Sequence, residues 1–408
     1  MLMQSAPEKR GLFTYENGLL LLLGVTFGVV FIDRNALTTL MPFIQAEFGL
    51  DNKQVGLLAG CLSITWGLSG YLIGALSDRA GRRKPFLTVS VLLFSGLTFA
   101  TGMVSGFAGL LLARLAMGAA EGPVFPLSQS LLAAASSENR RGVNAGLMQA
   151  TITSMIGLIA APILLVSVAG SHGWRAAFYV AALPGLVMAL LMMRFIREPK
   201  IARASGDTGH ARMPQLALLR QRNVALCLGI ALCEISWMVI AWAFLPIIFT
   251  AVHHFSPTAM SYLIGALGIS SAIFGLALPW LSDRIGRKPV VLGFSILALI
   301  MPLGVAFGPS DPWIIAVLLL VGWSASGTFP IFMATIPAES VPRASLGAAI
   351  GVVGGIAEVL GGFFGPQVAG WLADLYGLGA PLALMACLAV TATFLALGLI
   401  ETHPRRRA

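Results

Sequence analysis

The chain consists of long apolar runs separated by short polar segments. Each run has the length of about 20 residues that a helix needs to cross a hydrocarbon core of about 30 Å. Stretches such as Leu19 to Val30 are almost continuously apolar and lack the alternation of a membrane β-barrel. The pattern therefore predicts an all-α polytopic membrane protein with twelve transmembrane helices. The predicted spans are residues 18–43, 54–76, 84–104, 108–131, 143–168, 177–196, 223–250, 258–281, 289–308, 313–337, 347–371 and 377–400.

Composition supports this class. The 408 residues are 57% hydrophobic and only 11% charged, whereas soluble domains are about one quarter charged. Residues 1–17 are polar, and the apolar run that follows them is too long for the h-region of a signal peptide. We therefore expect an uncleaved first helix.

The basic residues are distributed unevenly around the predicted helices. Arg34 and Arg114 lie within helices, and Lys53 and Arg175 lie in loops on one side; the other Lys and Arg residues all fall on the opposite side. This positive-inside asymmetry predicts that both termini face the cytoplasm in an inner membrane. It also explains the net charge of +9 without a nucleic-acid partner.

Neither cysteine nor histidine indicates a metal site or a cofactor. The cysteines lie in apolar runs without a CxxC pair and are typical of small buried side chains. The histidines lie in predicted loops or in the tail. The cysteines are Cys61, Cys227, Cys233 and Cys387.

The two halves of the sequence resemble each other. The segment from Gly74 to Arg83 and the segment from Leu281 to Lys288 share a short basic pattern about half a chain apart. Val124-Phe125-Pro126 likewise corresponds to Thr328-Phe329-Pro330, and a polar stretch separates the halves. We therefore predict two pseudo-symmetric six-helix bundles. Their predicted order is a tail (1–17), an N-terminal bundle (18–196), a linker (197–222) with a short surface helix near 216–220, a C-terminal bundle (223–400) and a tail (401–408).

The pattern G-x-x-x-D-R-x-G-R-R between the second and third helices resembles the loop signature of the major facilitator superfamily. The second copy is degenerate, with Pro279 in place of the first glycine. The resemblance implies a conformational gate in which Asp78 caps a neighbouring helix and pairs with arginines when the cytoplasmic side is closed. The gate residues implied are Gly74, Asp78, Arg79, Gly81, Arg82 and Arg83 in the first copy, and Asp283, Arg284 and Arg287 in the second.

Ionisable side chains at membrane depth are costly and should face a cavity or a partner. Arg114 and Glu121 are two helical turns apart on one face of the fourth helix, with Gly118 between them leaving room. Asp33 and Arg34 are adjacent in the first helix, so the two cannot point the same way. This set resembles the anion:cation symporter branch of the superfamily, which moves organic carboxylates or phosphate with protons or sodium.

From their chemistry, Arg34 and Arg114 are predicted to bind the substrate anion, because a guanidinium stays charged and matches a carboxylate. Asp33 and Glu121 are candidates for carrying the coupling proton. The alternative is that these four side chains form structural ion pairs. Glu234 and Glu358, in the seventh and eleventh helices, are further candidates for proton coupling, or else buried packing groups.

Several uncharged side chains could line a substrate cavity. Trp237, Trp242 and Tyr262 would supply aromatic surface, and Gln149 and Ser154 polar contacts. Aromatic side chains in membrane helices are also commonly used for packing or contact with lipid, so both interpretations stay open.

We therefore predict a proton-coupled symporter that takes up a small organic anion by alternating access. Its expected partners are that anion, a proton or alternatively a sodium ion, and the lipid bilayer, with the chain acting as a monomer. One alternative is a proton-coupled exporter of amphipathic compounds or lysolipids, and another is a transporter-like metabolite sensor. No enzyme motif and no phosphate-binding G-x-x-x-x-G-K-[ST] loop occurs, so neither catalytic residues nor ATP-driven pumping is expected.

Overall fold

The computed structural model describes residues 14–137, 140–198, 215–342 and 345–403. Across these residues, twelve apolar helices are long enough to cross a membrane, which confirms the predicted fold class. We number them α1 to α12. Their bounds are Tyr15–Thr39, Asn52–Ala80, Lys84–Thr101, Phe107–Ala135, Arg141–His172, Trp174–Phe195, Arg222–Ala251, Pro257–Ile285, Arg287–Phe307, Pro312–Glu339, Leu346–Tyr376 and Gly379–Leu397.

The helices form two halves with the same internal packing. In the first half α1 and α3 pack against α6, and α2 packs against α4. In the second half α7 and α9 pack against α12, and α8 against α10. Between the halves, α2 packs against α11, and α5 packs against α8. These two contacts are equivalent, because α2 corresponds to α8 and α5 corresponds to α11 in the repeat. The two six-helix bundles are therefore pseudo-symmetric.

Some helix ends differ from the prediction. α1 stops at Thr39, and a separate short helix, Met41–Phe48, follows with a proline in its first turn. Pro42 lacks the N–H that would continue the helix. At the other extreme, α2 runs to Ala80 and contains the first half of the repeated motif, and Gly81 ends it with a positive φ of 65°. The short helix Gln215–Leu218 overlaps the predicted surface helix. Parts of the predicted linker and tails, residues 1–13, 199–214 and 404–408, lie outside the described residues.

Three helices are irregular near mid-depth. α4 is interrupted after Glu121 by the Gly122-Pro123 pair. α5 contains π-helical turns at Leu147–Ile152 and Ser154–Ala160, and α10 has a 3₁₀ turn at Trp323–Thr328. Irregular backbone at membrane depth is tolerated where it is buried in protein or lines a cavity. These positions therefore mark the interior of the two bundles.

The contact between α2 and α11 shows how the halves separate. We call the end of the bundle that carries the two basic motifs the hinge end. At the opposite end Asp374 accepts hydrogen bonds from the backbone N–H groups of Asn52 and Lys53, at 3.0 and 2.9 Å. Near mid-depth, a Cβ at Gly60 would collide with the carbonyl of Phe363, whereas Gly74 has no atom nearby. The two helices therefore touch from the opposite end to the middle and diverge toward the hinge end.

Candidate functional site

An ion pair joins the two halves at mid-depth. Arg34 of α1 donates a hydrogen bond from Nη2 to Oε1 of Glu358 in α11, at 2.5 Å. The side chains are only 10% and 13% exposed. The guanidinium also lies over the ring of Trp66, 5.4 Å from its centre, which is a favourable position for a cation. The predicted anion-binding arginine is thus occupied by a carboxylate of the protein itself.

Arg114 is held differently. It is buried, and its Nε and Nη2 donate to the carbonyls of Leu58 in α2 and Arg34 in α1, at 3.3 and 3.0 Å. The expected open space at Gly118 is filled by α2, because a Cβ there would collide with Thr65 and with the carbonyl of Leu62. The face of α4 that carries Arg114 therefore packs against α2, and Arg114 ties three helices together.

A small cavity adjoins both arginines. Its volume is only about 10 Å³, close to the minimum that holds one water molecule. The space is too small for an organic anion in this conformation. The lining residues are Arg34, Asn35, Thr38, Ala59, Leu62, Arg114, Val239 and Trp242.

Two acidic side chains are buried inside the N-terminal bundle. Asp33 faces Thr98 and Glu121, and Glu121 lies within the electrostatic influence of Arg114 and Arg34. The carboxylate oxygens of Asp33 and Glu121 have no hydrogen-bond partner among the described residues. As expected from their adjacency, Asp33 and Arg34 point in different directions, with Asp33 turned into its own bundle and Arg34 toward α11.

Glu234 lies inside the C-terminal bundle. It faces Ser295 of α9, and its carboxylate oxygens also lack a hydrogen-bond partner within the described ranges. Nearby, the rings of Trp237 and Trp242 pack at a tilt against Trp323, with centres 5.2 and 5.9 Å from its centre. Of these side chains, Trp242 reaches the cavity beside the arginines.

The structure does not bring the remaining predicted lining residues to the arginines. Tyr262 is 59% exposed, near the start of α8 at the opposite end. Gln149 is exposed on α5, and Ser154 is buried there in a π-helical turn. Neither these residues nor Trp237 line the cavity that contains Arg34 and Arg114.

Each basic motif at the hinge end is bonded within its own half. Asp78 pairs with Arg83 at 3.2 Å and is 67% exposed, and its carboxylate accepts no backbone N–H of a neighbouring helix among the described residues. Arg287 pairs with Asp283 and, at 3.2 Å, with Glu339. In the second motif, the guanidinium of Arg284 lies over the ring of Trp280, 3.8 Å from its centre. The other predicted gate residues lie in the first motif and are Gly74, Arg79, Gly81 and Arg82.

Acidic caps at the hinge end were missed by the sequence analysis. Glu198, after α6, accepts from the backbone N–H groups of Arg83 and Lys84 at 2.6 and 3.1 Å. Glu401, after α12, accepts from those of Arg287 and Lys288 at 3.0 and 3.1 Å. The two glutamates occupy equivalent places in the repeat. Comparing the ends of the sixth and twelfth helices could have found them.

Asp374, Trp66, Asn35 and Thr38 were also missed. Asp374 caps α2 from the other half, and Trp66 lies beneath Arg34. Asn35 and Thr38, which lie one and four residues after Arg34 on α1, line the cavity. The sequence could have indicated Thr38 as a lining residue, because residues four apart share a helix face.

Comparison with known proteins identifies the family. The sequence profile of the Major Facilitator Superfamily matches residues 23–245 and 226–408. A protein of Cupriavidus pinatubonensis named as a probable 4-methylmuconolactone transporter is 25% identical, over 73% of this chain and 70% of its own. The cis,cis-muconate transport protein of Acinetobacter baylyi is 28% identical, over 82% of each chain.

Solved structures share the fold. A bacterial homologue of the human lysosomal transporter Spinster, in an inward-facing and occupied conformation, superposes with a TM-score of 0.77 at 19% identity, covering 95% of this chain and 97% of that one. The family and these relatives are transporters and not enzymes, which confirms the predicted class. Two tandem matches to one family profile, on a fold of two six-helix bundles, show that the chain belongs to the Major Facilitator Superfamily.

Proposed function

We propose that the protein takes up a small organic anion together with a proton by alternating access. The observation that carries this proposal is the ion pair between Arg34 and Glu358, which bridges the two halves beside a polar cavity. An arginine in the membrane interior is costly unless it is paired. A substrate carboxylate can take over that pairing, because it offers the same planar arrangement of oxygens as Glu358.

The exchange of partners on Arg34 provides the coupling. When a substrate carboxylate replaces Glu358, Arg34 stays neutralised but Glu358 is left as an unpaired anion at membrane depth. A proton bound by Glu358 removes that charge, so anion and proton occupy the site together. After the anion leaves, Glu358 gives up its proton and pairs with Arg34 again.

The other predicted site residues support this exchange in different ways. Arg114 donates a hydrogen bond to the backbone carbonyl of Arg34 and so positions that part of α1. Arg114 is thus a positioning residue that also lines the cavity. Asp33 and Glu121 are secondary proton sites, since both lie close to the arginines without a hydrogen-bond partner in the described part of the chain. Glu234 is remote from this cluster.

The distribution of basic residues supports an orientation of the protein in the membrane. The basic hinge end faces the cytoplasm by the positive-inside rule, so divergence of α2 and α11 makes this an inward-open arrangement. The bundles 18–196 and 223–400 move as two bodies, with 197–222 as linker and the tails 1–17 and 401–408 in the cytoplasm. Opening of the end closed by Asp374 would admit substrate from outside.

The relatives suggest which anions to test first. One is named for cis,cis-muconate, an unsaturated dicarboxylate, and another for 4-methylmuconolactone, a lactone. A thermal-shift screen of mono- and dicarboxylates, sugar acids and aromatic acids, starting with cis,cis-muconate, selects the probe, because a ligand that binds the folded state stabilises it.

Uptake of that probe into proteoliposomes tests the coupling. The wild type should accumulate it when the outside is acidic. Glu358→Gln should keep counterflow of labelled probe, since the neutral amide mimics the protonated acid, but lose accumulation driven by the proton gradient. Arg34→Gln should lose both activities, and Glu47→Gln, at an exposed ion pair with Arg175, should lose neither.

Four outcomes contradict parts of the proposal. Gradient-driven accumulation by Glu358→Gln would remove Glu358 from coupling. Full counterflow by Arg34→Gln would remove the anion site. Binding of the probe without counterflow in the wild type would favour the metabolite sensor. Accumulation driven by a sodium gradient alone would make sodium, and not the proton, the coupling ion.

A further inference from the structure

A second cleft lies on the outer surface of the N-terminal bundle, between the start of α1 and the end of α6. Its volume is about 530 Å³. The walls are almost entirely apolar, and two arginines stand at the hinge end. The cleft is lined by Tyr15, Gly18, Leu19, Leu21, Leu22, Val25, Met188, Leu191, Arg194, Phe195 and Arg197.

The depth of the cleft matches one leaflet of a bilayer. Its walls on α1 run from Tyr15 to Val25, and ten residues of helix rise by about 15 Å. That is about half of a hydrocarbon core of about 30 Å. The cleft also opens sideways, since Leu21 and Phe195 on its rim are 60% and 57% exposed.

The arginines at its mouth are available to a ligand. Arg194 and Arg197 are both exposed and form no ion pair with a carboxylate of the described chain. The neighbouring Glu198 is turned away and accepts from the backbone N–H groups at the start of α3. Glu16, on α1, is likewise turned away, toward Asn144 and Arg140.

Tyr15 fixes the position of one of these arginines. Its hydroxyl accepts a hydrogen bond from the backbone N–H of Arg197 at 3.0 Å. The Arg197 guanidinium also lies over the Tyr15 ring, 5.0 Å from its centre. One positive group is thereby held at the mouth of the cleft, at the level where a helix leaves the hydrocarbon.

We propose that this cleft binds one anionic phospholipid of the hinge-side leaflet. An acyl chain lies along the apolar wall beside Gly18, and the phosphate is held by Arg194 and Arg197. The apolar wall selects a lipid over a free anion, and the two unpaired guanidinium groups select an anionic over a zwitterionic headgroup. The site is separate from the proposed transport site and does not depend on it.

Binding of phosphatidylglycerol and phosphatidylcholine to the full-length protein, followed by native mass spectrometry, tests the proposal. The wild type should prefer phosphatidylglycerol. Arg194→Gln/Arg197→Gln should reduce binding of phosphatidylglycerol by about 25-fold, since each of the two basic side chains contributes roughly a factor of five near anionic lipid. Binding of phosphatidylcholine should be unchanged. The matched control, Arg141→Gln/Arg220→Gln, removes the same charge from exposed positions elsewhere at the hinge end.

A second variant tests the cleft itself. Gly18→Leu fills it without a collision, because a Cβ there meets no atom within 4 Å, and should weaken binding of both lipids. Gly96→Leu, at an exposed α3 position that is equally open, should weaken neither. Equal affinity of the wild type for the two lipids, an equal loss in the control arginine pair, or unchanged binding in Gly18→Leu would each overturn the proposal.

Discussion

Arg114 donates two hydrogen bonds to backbone oxygen atoms, whereas Arg34 depends on a single carboxylate. Both are guanidinium groups at the same depth, but the first is fixed to α1 and α2 and the second is paired across the two halves. A partner on the other half can leave as the halves move, and a carbonyl in the same half cannot. Of the two, Arg34 is therefore the residue able to exchange its partner during transport.

This difference predicts the effect of Arg114→Lys. An ammonium group on a single stem cannot reach both carbonyls, so the variant loses at least one hydrogen bond of a charged donor, worth about 1.5–3 kcal/mol. We expect a clearly lower melting temperature. The matched change Arg175→Lys, at an exposed ion pair with Glu47, should cost only about 0–1 kcal/mol. Equal stability of the two variants would show that Arg114 does not hold the helices together.

At the scale of helices, the starts of α3 and α9 share one device. Each receives a carboxylate from the segment that follows the last helix of its half, Glu198 for α3 and Glu401 for α9. A carboxylate at a helix N-terminus bonds otherwise unpaired N–H groups and complements the helix dipole. The caps thus close each half on itself, and across the ranges that the structure describes no hydrogen bond or ion pair joins the two halves at the hinge end.

Glu401 makes this device sensitive to pH. Burial raises its pKa, but the backbone N–H groups of His403, Arg287, Lys288 and Thr402 together lower it more, so the pKa lies below its usual 4.5. A carboxylate whose pKa is lowered by folding stabilises the fold at a pH above its usual pKa. This stabilisation is lost as the pH falls from the usual pKa through the lowered pKa of the folded state.

We therefore expect Glu401→Gln to destabilise the protein by about 1 kcal/mol at neutral pH, as for the loss of a helix cap. The difference from wild type in melting temperature should shrink as the pH falls below 4.5. Glu198→Gln should cause a similar loss at neutral pH, because it removes the equivalent cap. A difference that grows in acid would contradict the assignment.

Hydropathy and the repeated motif were sufficient to predict the helices and the two halves, because each span is a local property of the chain. The site was only partly predictable. Glu358 was predicted only as a proton-coupling or packing group, because its partner Arg34 lies 324 residues away in the other half. The partners of Arg114 are carbonyl oxygens, which every residue carries and which leave no trace in a sequence. Pairing across the halves requires knowing which helices meet.

For the whole molecule, the opposite end is the closed one. Asp374 bonds the first turn of α2 through two backbone N–H groups and through Asn52 Nδ2 at 2.9 Å. Gly56 and Gly60 allow α11 to approach the α2 backbone just below, where any side chain would collide with carbonyl oxygens. In the proposed alternating-access cycle, this contact separates while α2 and α11 close at the hinge end.

A reversible cross-link at that contact tests the motion. In a Cys387→Ser background, which removes the exposed cysteine and leaves three buried ones, Asn52→Cys/Asp374→Cys is joined by a short bifunctional methanethiosulfonate. Uptake should fall to background after cross-linking and recover on reduction, because the two bundles can no longer part. Each single-cysteine variant, treated identically, should transport normally. Undiminished transport by the cross-linked protein would show that the cargo crosses without separation of α2 from α11.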